Sequence, residues 1–174
     1  IETTAIRNLI HNEEYCRKVL PFIKEEYFTD RLESLIFSEI YKFVNKYNNL
    51  PTKESLSIEM NTNKGVSEDE YKRMNEIISS LNPEPINLDW LVETTEVWCK
   101  DRAIHNAILG GIQILDGKDK DHTPEYLPEL LSEALSVSFD QKVGHDYLLE
   151  SKERYEYYNR KEERLELDLD FFNK

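Results

Sequence analysis

The side chains in this sequence that could support acid–base or metal chemistry are few and scattered. The four histidines are His11, His105, His122 and His145. None has a second histidine or a cysteine three or four residues away, the spacing that a metal site on one helix needs. We therefore expect surface or capping roles for all four.

Two further groups of potential ligands also lack the pattern of a site. Asp116, Asp119 and Asp121 lie close together, but the stretch has neither the ligand order of a calcium-binding loop nor its distal bidentate glutamate. We expect a solvated turn there. Cys16 and Cys99 are far apart and form no CxxC pair, which indicates reduced thiols and neither a disulfide nor a metal site.

Motifs that carry catalysis do not occur in the sequence. It contains no GxxxxGK[ST] phosphate loop, no HExxH and no GxSxG. We therefore predict no catalytic residue, no cofactor-binding residue and no metal ligand, and no enzymatic activity for this chain by itself.

A tyrosine cluster near the end of the chain could bind either nucleic acid or protein. Tyr155, Tyr157 and Tyr158 lie among arginines, as in platforms that stack on single-stranded bases. The glutamates interspersed over residues 153–163 argue against this use. We predict that Tyr147, Tyr155 and Tyr158 dock a linker helix on a neighbouring subunit. The alternative is that this helix folds back on its own domain.

The overall charge also disfavours direct binding to DNA. The chain has 174 residues, with 35 acidic and 22 basic side chains and a formal net charge of −13. Such a chain repels a polyanion unless its cations gather on one face. No apolar run approaches the roughly 20 residues that span a bilayer. We expect a soluble, cytoplasmic protein with no membrane partner.

The spacing of apolar residues predicts an all-α fold. Only five glycines and six prolines interrupt the chain, and apolar residues recur at threes and fours. We predict a helical headpiece over residues 1–82. The first helix is expected from Thr3 to Ile10. The later helices are expected to begin at four capping signals: Asn12, Asp30, Thr52, and the capping box of Ser67 with Glu70.

A long αα-hairpin is predicted after the headpiece, over residues 83–139. Two prolines at 83 and 85 mark the boundary. One helix then runs from Asn87 to about Leu115, and Thr123 with Pro124 is placed to start the second arm. The apolar stripe assigned to the first arm is Leu91, Thr94, Val97, Trp98, Ile104, Ile108, Gly111 and Leu115.

Self-association through the hairpin is the predicted function of this region, because no chain remains to cover its apolar stripe. The residues predicted at the subunit interface are Ile104, Ile108, Leu115, Leu131 and Leu135. Gly110 and Gly111 weaken the helix, and we expect that close approach of a partner helix compensates; a local kink is the alternative.

The last predicted region, residues 140–174, contains a linker helix and a strand. The helix is expected from about Asp146 to Arg160, and residues 165–170 alternate as a strand does. One strand cannot stand alone, so we expect that a sheet-containing domain follows in the whole protein.

The order of these elements resembles the N-terminal region of DnaB-family hexameric replicative DNA helicases, and most closely the T-even-type phage helicases. The pattern at residues 136–146 carries most of this resemblance. The other similar stretches are 6–12, 20–23, 27–28, 37–41, 50–52, 88–102, the turn at Asp116, 130–139 and 167–174.

The resemblance implies a role in DNA replication, as part of a primosome. In that family the headpieces and hairpins form a collar within a hexamer, and the helix after the hairpin reaches the ATPase domain of a neighbour. The full-length protein is implied to be an ATP-hydrolysing 5′-to-3′ helicase that uses Mg²⁺ and holds single-stranded DNA through another domain. The collar is implied to recruit primase and a helicase loader.

Two other classes of function stay open from the residues themselves. The first is an acidic, all-helical phage adaptor or regulatory protein that binds a host protein. The second is a single-strand-binding module, which predicts DNA affinity that falls steeply with salt. A GxxxxGK[ST] motif encoded beyond Lys174 would favour the helicase over the adaptor.

Overall fold

The computed structural model describes residues 1–62 and 65–139. These residues contain seven α-helices and two short 3-10 turns. This part of the chain contains no strand, and the predicted all-α class is confirmed. The linker helix and strand predicted within residues 140–174 lie outside it. The helices are α1 (Glu2–His11), α2 (Glu13–Val19), α3 (Arg31–Tyr47), α4 (Lys53–Thr62), α5 (Glu68–Ser80), α6 (Leu88–Leu115) and α7 (Leu127–Leu135).

Side-chain caps fix where five of the helices begin. Thr52 accepts from the backbone N–H of Ser55 at 3.1 Å at the start of α4, as predicted. Asn12 accepts a hydrogen bond from the backbone of α2, and Asp30 accepts two from the first turn of α3. Ser67 and Glu70 form the predicted reciprocal capping box before α5. Asn87 accepts from the first turn of α6. Each cap satisfies donors that the helix itself leaves unpaired, a contribution of about 1 kcal/mol.

The first half of α6 belongs to the headpiece core. Leu91, Thr95 and Cys99 are fully buried there, where α6 packs mainly against α2 and the first 3-10 turn. The Tyr15 hydroxyl lies 2.8 Å from the Thr95 hydroxyl. The single helix α6 therefore continues from the headpiece core into the hairpin. The domain limits 1–82, 83–139 and 140–174 stay a prediction.

Two polar side chains of α6 also hold the 3-10 turn Glu25–Tyr27. Arg102 donates from Nε to the carbonyl of Tyr27 at 2.6 Å, and Asn106 donates to the carbonyl of Glu26 at 2.8 Å. These carbonyls lie at the end of a one-turn element, where no backbone donor follows to pair with them. The two bonds anchor the middle of α6 to the headpiece.

The second arm of the hairpin starts later than the sequence predicts. Pro124 begins a 3-10 turn, Pro124–Tyr126, and α7 begins at Leu127. Thr123 makes no side-chain cap, because the N–H of Tyr126 donates to the Thr123 carbonyl at 2.9 Å within the 3-10 turn. The predicted threonine cap is therefore wrong: the 3-10 turn takes up the backbone donor that the hydroxyl oxygen would have accepted.

The helix that approaches the glycine pair is α7 of the same chain. A Cβ added at Gly111 would lie 3.0 Å from Cδ2 of Leu127, and one at Gly110 would lie 3.7 Å from Cδ2 of Leu130. The first distance is closer than ordinary van der Waals contact. The glycine at 111 therefore permits the tight packing of the two arms.

Candidate functional site

The outer part of the hairpin exposes a row of large apolar side chains on both arms. On α6, Ile108 is 52% exposed and Leu115 is 65% exposed; on α7, Leu131 is 40% and Leu135 is 68% exposed. Ile112 is 50% exposed. We call these five residues the hairpin face. Exposed apolar residues scattered singly are ordinary on proteins, so what matters is whether these five form one surface.

The α6 side of the hairpin face follows from helical spacing. Small residues at 103, 107 and 111 face α7 and are buried. At about 100° per residue, Ile108 and Leu115 lie about a quarter-turn around α6 from this small-residue stripe. These small residues let α7 pack closely against α6. Ile108 and Leu115 lie beside this contact.

Contacts at the glycine pair fix which way α7 turns. Leu127 reaches Gly111, whereas Leu130 reaches Gly110 on the other flank of α6. Gly111 is the glycine on the flank that carries Ile108. The Leu127 flank of α7 is therefore on the same side of the hairpin as Ile108.

Leu131 and Leu135 extend this flank of α7. They follow Leu127 at intervals of four residues, and residues four apart lie on one side of a helix. The opposite flank is a polar groove against the headpiece that includes Asn106 and Glu133. The exposed leucines of α7 and the exposed residues of α6 consequently form one apolar surface on a single side of the hairpin.

The same side of α6 continues toward the headpiece through two residues that sequence reasoning did not assign to the interface. Trp90 is 55% exposed and Val97 is 58% exposed. Trp90, Val97 and Ile104 are spaced by seven residues, so they share a side of the helix. This spacing is the signal that could have identified them. Val97 belongs to the apolar stripe predicted for α6, but the same stripe contains Leu91 and Trp98, which are buried on another side of the helix within this chain.

The structure places the predicted interface residues as follows. Ile108, Leu115, Leu131 and Leu135 belong to the hairpin face, and Ile104 is half-buried against the core at its inner edge. That they contact another subunit stays a prediction. The predicted docking residues Tyr147, Tyr155 and Tyr158 lie outside the described residues.

The aspartates and histidine at the hairpin turn hold the turn itself. The Asp119 carboxylate accepts from the backbone N–H of Asp121 at 2.8 Å and from that of His122 at 3.2 Å, and its second oxygen lies 3.0 Å from Nδ1 of His122. The hydrogen bond from the backbone N–H of Asp121, and after it the one from the His122 side chain, lower the pKa of Asp119. The His122 ring stacks on Tyr126.

The residues that the structure describes contain no cluster of three or more metal-ligating side chains. His11 lies 2.8 Å from the carbonyl of Leu81, where its ring N–H donates a hydrogen bond that ties α1 to the end of α5.

Within the residues that the structure describes, no helix combines the length and apolar character needed to cross a membrane.

Comparison with known proteins supports a role connected with a replicative helicase. The chain is 30% identical to a DnaB-like replicative helicase of Enterobacteria phage T4, in an alignment of 177 residues. The alignment covers 97% of this chain but only 37% of the phage protein, so the chain spans about a third of the length of that relative. No protein-family model matches the sequence. The resemblance to DnaB-family helicases of T-even-type phages that the sequence predicts is thereby confirmed.

Proposed function

We propose that this chain is the N-terminal collar and docking region of a hexameric replicative DNA helicase, and that copies of it associate through the hairpin face. The observation that carries the proposal is the single apolar surface formed by both arms of the hairpin. The similarity to a replicative helicase over nearly the whole chain supports it.

The composition of the hairpin face suits a protein partner better than nucleic acid. Ile108, Ile112, Leu115, Leu131 and Leu135 offer no charge to pair with phosphate, and the chain carries a net charge of −13. Apolar surface gains free energy when it leaves water, at about 25 cal/mol per Å². Repulsion between two acidic chains opposes this gain, and salt screens that repulsion.

The activities of the whole protein are proposed from the similarity to a replicative helicase. We propose that the complete protein hydrolyses ATP with Mg²⁺ and moves 5′ to 3′ on single-stranded DNA through a domain other than this one. No residue of this chain is assigned to ATP or Mg²⁺, because the sequence has no phosphate loop.

Primase and a helicase loader are the further partners proposed for the collar. The test is direct binding of this chain to the purified primase or loader of the same replication system, measured by calorimetry. Saturable binding to either would support the docking role. A chain that self-associates but binds neither would limit the function to assembly.

The test of self-association is the mass of the chain in solution, measured by light scattering over a concentration series. We expect dimers or larger species. In Ile108→Asp a charge replaces an apolar side chain of the hairpin face, so we expect at least about a 30-fold weaker association, as for loss of a central interface residue worth about 2 kcal/mol.

A matched control is available in the headpiece. Ile58 on α4 is 67% exposed and lies outside the hairpin face, so Ile58→Asp introduces the same charge on another surface. Its association should equal that of the unchanged chain. Equal masses for Ile108→Asp and the unchanged chain would refute the hairpin face as the interface. A monomer at every concentration would refute self-association of the chain by itself.

Salt dependence separates this proposal from binding of single-stranded DNA. Association of two acidic chains through apolar residues should strengthen, or stay constant, between about 50 and 500 mM salt, because screening weakens their repulsion. Affinity for a single strand would instead fall steeply over this range.

A further inference from the structure

A groove separates α7 from the headpiece on the flank of α7 that lies opposite the hairpin face. Its volume is about 200 Å³. The residues at its bottom are buried and small: Ala103, Ala107 and Ala134. Pockets that hold drug-sized ligands usually measure about 300–1,000 Å³, so this groove has room for a single side chain. A bottom lined by methyl groups suits the aliphatic part of that side chain.

Carboxylates stand at the rim of this groove, which we call the acidic groove. Glu26 and Glu133 line it and are exposed. Glu129 lies one turn from Glu133 on the same flank of α7. Within the part of the chain that the structure describes, neither Glu129 nor Glu133 forms an ion pair. Glu133 first, then desolvation, and then Glu129 raise the pKa of Tyr126, as expected from a negative potential along this flank.

Lys24 is a weak competitor at the rim of the acidic groove. Its Nζ lies 3.8 Å from Oε1 of Glu26, and the two side chains are 64% and 62% exposed. Ion pairs that are this open to water contribute little free energy. The same ammonium group lies 6.0 Å from the centre of the Tyr27 ring. Lys24 therefore stands beside Glu26 but does not neutralise Glu133.

Hydrogen bonds from α6 fix one wall of the acidic groove. Asn106 donates to the carbonyl of Glu26 at 2.8 Å, and Arg102 donates to the carbonyl of Tyr27 at 2.6 Å. The 3-10 turn that carries Glu26 is therefore held against α6 before any partner binds. The Asn106 amide group also lines the groove, and its oxygen is left as a further acceptor. Acceptors that are already fixed reduce the conformational entropy that binding costs.

We propose that the acidic groove binds an arginine side chain from a basic segment of a partner protein. The methylene groups of the arginine lie on the alanines at the bottom, and its guanidinium donates to the carboxylates at the rim. Arginine fits better than lysine, because its five donors are spread over a plane and reach several acceptors at once.

The charge of the chain identifies the class of partner. A net charge of −13 favours a basic protein segment over nucleic acid or a second copy of this chain. The acidic groove and the hairpin face lie on opposite flanks of α7. Binding of a basic segment therefore does not depend on self-association, and both surfaces can be occupied at once.

The test is calorimetric titration of the full chain with a short capped peptide of alternating arginine and alanine, in about 150 mM salt to screen distant charges. We expect saturable binding. Glu133→Gln keeps the size of the side chain but removes a rim charge, so affinity should fall about fivefold. Lys24→Gln removes the competing cation and should raise affinity about twofold or more. Glu76→Gln is the matched control, because Glu76 is an exposed carboxylate on α5, and its affinity should equal that of the unchanged chain.

A second peptide separates binding in the groove from general attraction between opposite charges. It replaces arginine by the homologue with two methylene groups fewer, which keeps the guanidinium charge. The unchanged chain should bind this peptide about tenfold more weakly, because less apolar surface is buried.

Three results would overturn the proposal: equal affinity for the two peptides, equal affinity of Glu133→Gln and Glu76→Gln for the first peptide, or no saturable binding. The light-scattering mass of Glu133→Gln should equal that of the unchanged chain. Failure of the acidic groove is thereby distinguished from failure of the hairpin face.

Discussion

Replacing each glycine of the pair in α6 by alanine should have different effects, because the two positions meet α7 at different distances. Alanine is favoured over glycine inside a helix by about 1 kcal/mol. At Gly110 the new Cβ lies 3.7 Å from Leu130, an ordinary contact. We expect Gly110→Ala to stabilise the chain by about 0.5–1 kcal/mol.

At Gly111 the same gain is opposed by a collision. The new Cβ lies 3.0 Å from Cδ2 of Leu127, so that methyl group has to move by a few tenths of an ångström. Overpacking of this kind costs about 1–3 kcal/mol when neighbours cannot relax. Leu127 is half-buried and begins α7, so it relaxes in part. We expect Gly111→Ala to range from no change to a loss of about 1 kcal/mol.

The assay is urea unfolding, monitored by circular dichroism. A single low protein concentration is used so that association contributes little to the free energy of unfolding. A difference of 1 kcal/mol corresponds to about 3–4 °C in melting temperature for a unit of this size. Leu127→Ala removes the colliding methyl and should cost less in the Gly111→Ala background than in the unchanged chain. Equal stabilisation by both alanines would refute the argument from close packing.

Two further predictions concern the buried side of α6. Thr95 donates to the carbonyl of Leu91 at 2.7 Å, so the buried Tyr15 hydroxyl must donate to Thr95. Thr95→Val should therefore cost about 1–3 kcal/mol in urea unfolding, and adding Tyr15→Phe should recover most of it; no recovery would contradict this hydrogen bond. Burial raises the pKa of Cys16 to about 11 and that of Cys99 to about 12, which cuts the reactive thiolate on the order of 100-fold or more. Both thiols should resist a thiol reagent at pH 8 until the chain unfolds, and rapid labelling of the folded chain would show that this part of the core opens.

Local features of this fold are predictable from the sequence because they depend on neighbouring residues. The predicted caps at Asn12, Asp30, Thr52 and Ser67 each act within three residues, and the structure forms all four. The same reasoning fails at Thr123, where a 3-10 turn precedes α7 and its backbone bond takes the N–H that the threonine side chain would have capped.

Features that depend on distant contacts are harder to predict. Two sides of α6 carry apolar residues. The periodicity of these residues cannot by itself separate the side that is buried in the headpiece from the side that is exposed. The predicted stripe joined buried Leu91 and Trp98 with exposed Val97. Only packing against α2 and the 3-10 turn reveals that Thr95 faces inward. The same holds for the hydrogen bond from Ser138 to Glu96, because the two residues are 42 positions apart in the chain.

The hairpin face is intermediate between these cases. Four of the five predicted interface residues belong to it, since the length of α6 left its outer half without a cover. Trp90 and Ile112 were not predicted because nothing in a linear stripe says which flank α7 will occupy. That choice is made by the contacts of Gly110 and Gly111 with two different leucines.

The continuity of α6 has a mechanical consequence. Its 28 residues form a rod about 42 Å long, with the inner half fixed in the headpiece core and the outer half carrying the hairpin face. The outer half, about 21 Å long, acts as a lever: a tilt of about 10° where it leaves the core displaces its tip by about 4 Å. Small repacking around Tyr15 and Thr95 is thereby magnified at the surface where we propose that copies of the chain meet.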